Sequence, residues 1–344
     1  MSRPISRLGL LARLIGSVTI LAIAVLAGIA IGETAIEPSI VLQTLANKLW
    51  TAGYGLDPID EGIVWSYRLP RTLVAGACGA GLAICGLILQ ALLRNPLAEP
   101  YLLGISAGAS TGAVLIAVIG VGGGLISLPV GAFAGAVVAF GLVAILARTS
   151  RGASASSQII LAGIAGSQLF NALTAYLITK SASAEQARGI MFWLLGNLSG
   201  VRWSSVWMAI PAVAIALLVC FWYRRALDAF TFGSDSAASL GIPVRQTRTV
   251  LIACAAFVTA IMVSIVGSIG FVGLVIPHAV RLLVGSRHTR LVPTSALVGA
   301  LFLISADILS RILIKGQVLP IGVITALIGA PVFALLLIRG ARVR

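Results

Sequence analysis

Nothing limits the fold of this chain more than its repeated apolar runs. Nine of them, each about 17–22 residues long, lie near 14–31, 71–92, 103–119, 126–147, 158–179, 204–222, 248–268, 292–310 and 319–338. A helix rises 1.5 Å per residue, so about 20 apolar residues cross the roughly 30 Å hydrocarbon core of a bilayer. A tenth, shorter run occupies 271–284. In lipid every backbone polar group needs an internal partner, which leaves helices as the form for such runs. The expected fold is therefore all-α and integral to the membrane, with ten spans in one domain covering 1–344. Composition agrees: 59% of residues are hydrophobic and only 10% charged, where a soluble domain carries about 25% charged residues. The 38 glycines suit helices that approach one another closely.

The net charge is +14. In a soluble chain that would raise nucleic acid as a partner. Here it is first a topology signal. With the N-terminus and C-terminus both in the cytoplasm, sixteen of the 24 lysines and arginines fall inside and eight outside. That bias is the positive-inside pattern, and it accounts for much of the charge without nucleic acid. The N-terminal run, after its arginines, could imitate a secretory signal. Its apolar core is longer than the usual ~7–15 residues, and it reads as an uncleaved first span. Cys78, Cys85, Cys220 and Cys254 all fall inside apolar runs and read as small core residues rather than metal ligands.

Two loops are long. Residues 32–70 lie outside and are expected to be partly helical. Residues 223–247 lie inside and contain "SDSAASLG", a short helix that Ser234 or Asp235 can cap and Gly241 can end. It is either a surface turn or a peg for a soluble partner.

Two Pro-containing breaks interrupt the apolar pattern: "RNPLAEPYLLG" at 94–104 and "GFVGLVIPHAVRLLVG" at 270–285. Breaks at corresponding places suggest pseudo-duplicated, inverted halves around a pathway. A transporter needs an energy source. Only Lys48, Lys180 and Lys315 are present, and none completes a G-x-x-x-x-G-K-[ST] phosphate loop. The chain is thus not itself a P-loop ATPase or, on this reading, an enzyme. Either an ion gradient drives it or a partner hydrolyses nucleotide. Candidate gradient-sensing groups are Glu99, Asp307 and His278. Glu99 sits near the inner boundary. Asp307 stands four residues before Arg311, a structural pair on one helix face. His278 is expected to hydrogen-bond locally, and His288 to be solvated in a basic loop.

The stretch "RLPRTLVAGACGAGLAICGLILQALLRNPLAEPYLLGISAGA" (68–109) resembles the permease subunits of bacterial ABC importers for iron–siderophore complexes, haem and vitamin B12. So do "GSIGFVGLVIPHAVRLLVG" (267–285), "SADILSR" (305–311) and "LPIGVITALIGAPVFALLL" (319–337). The resemblance runs from about residue 65 to the C-terminus. It implies a ten-helix permease in the bacterial inner membrane, working as a homodimer or close heterodimer. It also implies two cytoplasmic ATP-binding subunits, which hold the ATP and magnesium, and a periplasmic or lipid-anchored solute-binding protein. This chain would bind no cofactor and no metal.

Site residues follow from the resemblance. Arg68, Arg71 and Arg311 would pair with acidic residues of the binding protein; snorkelling to lipid headgroups is the other reading. Asp235, Ala238, Leu240, Gly241 and Ile242 would contact the ATPase. Asn95 and Leu97, with Ser156 and Ser157 at the start of the fifth span, would form the cytoplasmic gate, although Asn95 before Pro96 also suits a plain turn. Ferric siderophore stands first among cargoes, with haem close behind and corrinoid third. The competing reading is a gradient-driven secondary transporter that needs no ATPase and uses Asp307 or Glu99.

Overall fold

The computed structural model describes residues 7–34, 36–119, 126–149, 155–181 and 183–341. Regular structure among them is helical, apart from an isolated bridge between Ile314 and Gln317. Each apolar run becomes one helix: α1 (Arg7–Ala30), then, past α2 (Pro38–Trp50) and α3 (Pro58–Gly62), α4 (Leu69–Leu93), α5 (Ile105–Ile119), α6 (Leu128–Thr149) and α7 (Ala155–Ser181). After α8 (Ala184–Leu194) comes α9 (Trp203–Trp222). The short α10 (Arg224–Phe230) and α11 (Ser234–Ser239) precede α12 (Val244–Val266), α13 (Val272–Val284), α14 (His288–Ile312) and α15 (Ile321–Ala341). Six of these helices are long and apolar enough to cross a membrane, namely α4 with its N-terminal extension, α6, α7, α9, α12 and α14. The apolar parts of α1, α5, α13 and α15 are shorter.

The expected outer loop 32–70 is largely helical. It holds α2 and α3, and a π-helical turn at Ile63–Arg68 joins α3 directly to α4. Pro38 and Pro58 open α2 and α3 at positions where no backbone N–H is needed. Ser183 and Gln186 form a reciprocal capping box that fixes the start of α8.

Helix α4 is the axis of the molecule. Almost all its residues are buried, from Leu69 to Leu93. It packs against α14, α9, α12 and α13, and these five helices share the main apolar cluster. The close approach depends on missing side chains. A Cβ on Gly79 would fall 2.0 Å from the carbonyl oxygen of Gly299 in α14, and one on Gly86 would fall 1.9 Å from that of Gly273 in α13. With apolar lipid outside, burial gives these helices little reason to associate, and such van der Waals contact takes its place. A second cluster joins α5, α6 and α12.

The bundle has two unlike ends. Arg68, Arg71 and Arg311 gather at one, the arginine end. The α4–α5 turn, α10, α11 and the start of α14 gather at the other, the turn end.

Candidate functional site

At the arginine end the three guanidinium groups are buried, at 2%, 1% and 3% exposure for Arg68, Arg71 and Arg311. Asp307, also buried, holds two of them. Its Oδ1 accepts from Arg71 Nε at 2.8 Å and its Oδ2 lies 2.9 Å from Arg311 Nη2. Arg71 also donates to the Tyr67 hydroxyl at 2.8 Å. The remaining donors close the end of α1. Arg68 Nη1 donates to the carbonyls of Ile29 and Ala30, and Arg311 donates to those of Gly28 and Ile31. The last four carbonyls of a helix lack partners within it, and positive charge suits the negative end of its dipole. Two arginines therefore supply what water would supply to a soluble helix end.

This arrangement overturns the snorkelling reading of these arginines. None snorkels outward, because each spends its donors inside the chain. Arg71 is buried against Asp307. Arg68 and Arg311 line a small open pocket of about 290 Å³ with Gly32, Glu33, Thr34, Ile63 and Tyr67. The Asp307–Arg311 pair stands as the spacing suggested. Its third member, Arg71, lies 236 residues away in sequence and gave no local signal.

At the turn end, Arg94 terminates α4 in the left-handed conformation, φ 51°. Asn95 forms a turn: its Oδ1 accepts from Leu97 N at 2.9 Å and its carbonyl accepts from Ala98 N. The turn-former reading of Asn95 holds, and Leu97 points outward at 47% exposure. From here the chain turns inward through a 3-10 segment, Pro100–Leu103. It meets the second break there. Tyr101 Oη donates to Ile269 O at 2.9 Å and accepts from Ile269 N at 2.8 Å. Ser106 and Ser268 share a 3.0 Å hydrogen bond, and Gln90 donates to the carbonyls of Gly273 and Leu274. Side chains of Tyr101 and of Gln90 on α4 thus satisfy backbone groups at the second break, as irregular chain at membrane depth requires. Between α12 and α13, Phe271 takes φ 69°, an unusual state for a bulky residue. The hydrogen bonds of Tyr101 and Gln90 across the breaks had no signal in the sequence.

Glu99 is half-buried, and burial raises its carboxyl above the usual range. The Nδ1 of His278 is buried and makes no hydrogen bond among the described residues, so the expected local bond is absent there. His288 is not solvated. Its ring is fully buried, with Nδ1 2.7 Å from Asp228 Oδ1, and its backbone N–H donates to the same oxygen.

The helix expected in "SDSAASLG" is α11, and Gly241 ends it with φ 78°. Its start is not capped as expected. Gly233 is the N-cap, while Ser234 Oγ accepts from Arg248 at 2.7 Å and Asp235 is exposed. Ala238 and Gly241 are exposed and Ile242 half-buried; Leu240 and Phe232 stand 73% and 76% exposed. Ser157 opens the exposed face of α7. The side chain of Ser156 lies outside the described residues. Gln168, Asn171 and Thr179 continue that face, opposite the buried Ala162, Gly166, Phe170 and Thr174. No cluster of three or more metal-ligating side chains occurs among the described residues.

A long helical bundle, a buried α4 and two breaks joined by hydrogen bonds invite comparison with known membrane proteins. The model of the FecCD transport family matches residues 20–339. The chain belongs to the FecCD transport family. Membership places it among the multi-pass permeases of ABC importers. It is 40% identical to the vitamin B12 import system permease BtuC of Escherichia coli, over 88% of this chain and 92% of that one. The cobalamin import system permease of Halobacterium salinarum is 41% identical over 85% of this chain and 77% of its own length. YvrB, an uncharacterized ABC transporter permease protein of Bacillus subtilis, is 38% identical over 94% and 92%. Among solved structures, an ABC transporter assigned to the metal-chelate type, in an inward-facing conformation, superposes with TM-score 0.81 and 30% identity. That match covers 95% of this chain and 99% of the other.

Proposed function

We propose that this FecCD chain is the ten-span membrane subunit of an ATP-driven importer in the bacterial inner membrane. Two copies enclose the pathway, and two ATP-binding subunits sit at the turn end in the cytoplasm. A solute-binding protein docks at the arginine end outside. Both termini are cytoplasmic. ATP and magnesium belong to the ATPase subunits, and this chain needs no cofactor of its own.

One observation carries the reading. At the turn end α11 and the residues flanking it present Phe232, Ala238, Leu240 and Gly241 to the exterior. Exposed apolar groups on such a knob fit insertion into a partner's cleft. The open face of α7 supports the dimer. Gln168, Asn171 and Thr179 are expensive to place against lipid but suit a water-filled pathway between copies. Outside, the α2–α3 region and the pocket floored by Arg68 and Arg311 form the docking face. Inside, the Asn95–Leu97 turn, with Ser156 and Ser157, narrows the pathway. The two interlocked breaks are the matching parts of two duplicated halves.

The family resemblance put ferric siderophore ahead of haem and corrinoid. Two relatives at about 40% identity are named for cobalamin or vitamin B12, which moves a corrinoid to the front. The gradient-driven alternative loses its main candidate, because Asp307 is held by two arginines and is not free to relay protons.

The test is ATP hydrolysis by the reconstituted permease–ATPase complex. Binding protein loaded with cobalamin should stimulate it more than the same protein loaded with a ferric siderophore or haem. Uptake by the permease alone, driven by a proton gradient, would overturn the importer reading.

A further inference from the structure

The element formed by α10 and α11 is tied to the bundle by named contacts. Ser234 accepts from Arg248 of α12, and the Arg94 guanidinium lies against Gly233 beside the Asn95 turn. The third tie differs in kind. Asp228 of α10 accepts two hydrogen bonds from one residue of α14, at 2.8 Å from the backbone N–H of His288 and at 2.7 Å from its ring. The carboxylate therefore caps the first turn of α14, supplying the acceptor that a local N-cap side chain would supply. Arg287, the residue at the N-cap position, makes no such side-chain bond. His288 is fully buried although it follows an exposed loop. The far end of α14 carries Asp307 and Arg311, which hold Arg71 of α4 and the end of α1. One helix thus joins the α10–α11 element to the charge cluster at the opposite end.

We propose that Asp228 and His288 are positioning residues that transmit displacement of the α10–α11 element to α14, coupling ATP hydrolysis to movement of the pathway. The inference rests on reading α11 as the ATPase contact. Pro293 leaves one ladder bond unmade in the second turn of α14, but the helix continues unbroken to Ile312, so a push at its first turn is carried to its last. A push delivered to a loop that is not clamped would be absorbed there. Coupling of this kind is a free energy shared between two sites, and it is lost when the rigid connection is cut even though both sites stay intact.

The experiment uses the full permease reconstituted in proteoliposomes with its ATPase subunits and cobalamin-loaded binding protein. ATP hydrolysis and uptake are measured on the same vesicles. His288→Phe keeps the ring volume and removes the donor; Asp228→Ala removes the acceptor. In both, hydrolysis should stay within about twofold of the unaltered complex while uptake per ATP falls about tenfold, within the usual span of allosteric coupling. His288→Asn, which keeps an amide donor near Asp228, should restore much of the ratio. The double variant should lose no more than either single one, as expected for two groups acting as one. Unchanged uptake per ATP in both single variants would overturn the clamp, as would hydrolysis falling in step with uptake. If His288→Phe does not insert, Asp228→Ala decides alone, since its side chain is 37% exposed. Absence of ATP-driven uptake by the unaltered complex with binding proteins loaded with cobalamin, haem and ferric siderophore in turn would overturn the importer reading and the clamp together, whereas uptake of haem or ferric siderophore alone would move the same clamp test to that cargo.

Discussion

Asp307 holds the arginine end with a single carboxylate. It faces two guanidinium groups in a buried site, so removing it strands two charges. Breaking a buried pair from one side costs about 3–5 kcal/mol, and Asp307→Ala should lower the thermal midpoint of the detergent-solubilised protein well below that of Asp307→Asn. The Asn variant keeps an acceptor for Arg71 and loses only the charge. Equal midpoints for the two would show that Asp307 contributes little beyond packing. At this scale the sequence was half legible. The i,i+4 relation of Asp307 and Arg311 can be read from spacing because one helix carries both. Asp228 and His288 are 60 residues apart, and no local pattern reports a partner supplied by another element. A histidine between arginines therefore looked solvated when it is buried.

Among elements, α11 offers the cleanest separation of function from stability. Leu240 is 73% exposed and touches little of its own chain. Leu240→Asp should leave the thermal midpoint nearly unchanged, in keeping with surface changes of about 0.5 kcal/mol or less. It should also abolish co-purification of the ATPase subunits. Retained co-purification would remove α11 from the interface. The helices themselves were readable, because a spanning segment must be apolar along its whole length. The length of α13 followed from its shorter run. What hydropathy does not encode is how breaks are repaired. Tyr101 and Ile269 meet across 168 residues, through a side chain and backbone groups that look ordinary one at a time. The start of α11 was misplaced by one residue for a related reason: Gly233 reaches its φ of 113° without help from a capping side chain.

For the whole molecule, the proposed pathway predicts where water goes. In the assembled importer Asn171→Cys should react with a membrane-impermeant maleimide, whereas Leu218→Cys, 70% exposed on the apolar α9, should be shielded by lipid. Cys78, Cys85 and Cys220 are buried and interfere little, and the half-buried Cys254 is replaced by alanine in both labelling variants. Equal labelling at the two sites would place α7 against lipid and move the pathway elsewhere. The all-helical membrane architecture was legible because composition alone forbids most alternatives. The choice of cargo was not, because the described helices show no metal cluster and no residue that names a substrate.

The closed end of α1 has a consequence for how the protein is made. This helix leaves the ribosome long before α14, yet two carbonyls at its end find their donor in Arg311, about 280 residues later. Arg68 arrives early and can hold Ile29 and Ala30 at once. Gly28 and Ile31 stay open until α14 has been synthesised and inserted. A nascent chain cut short before Arg311 would therefore display an unfinished helix end at the membrane surface. The joining of α14 to the bundle is written into α1 as a pair of carbonyl groups that only the later helix can cover.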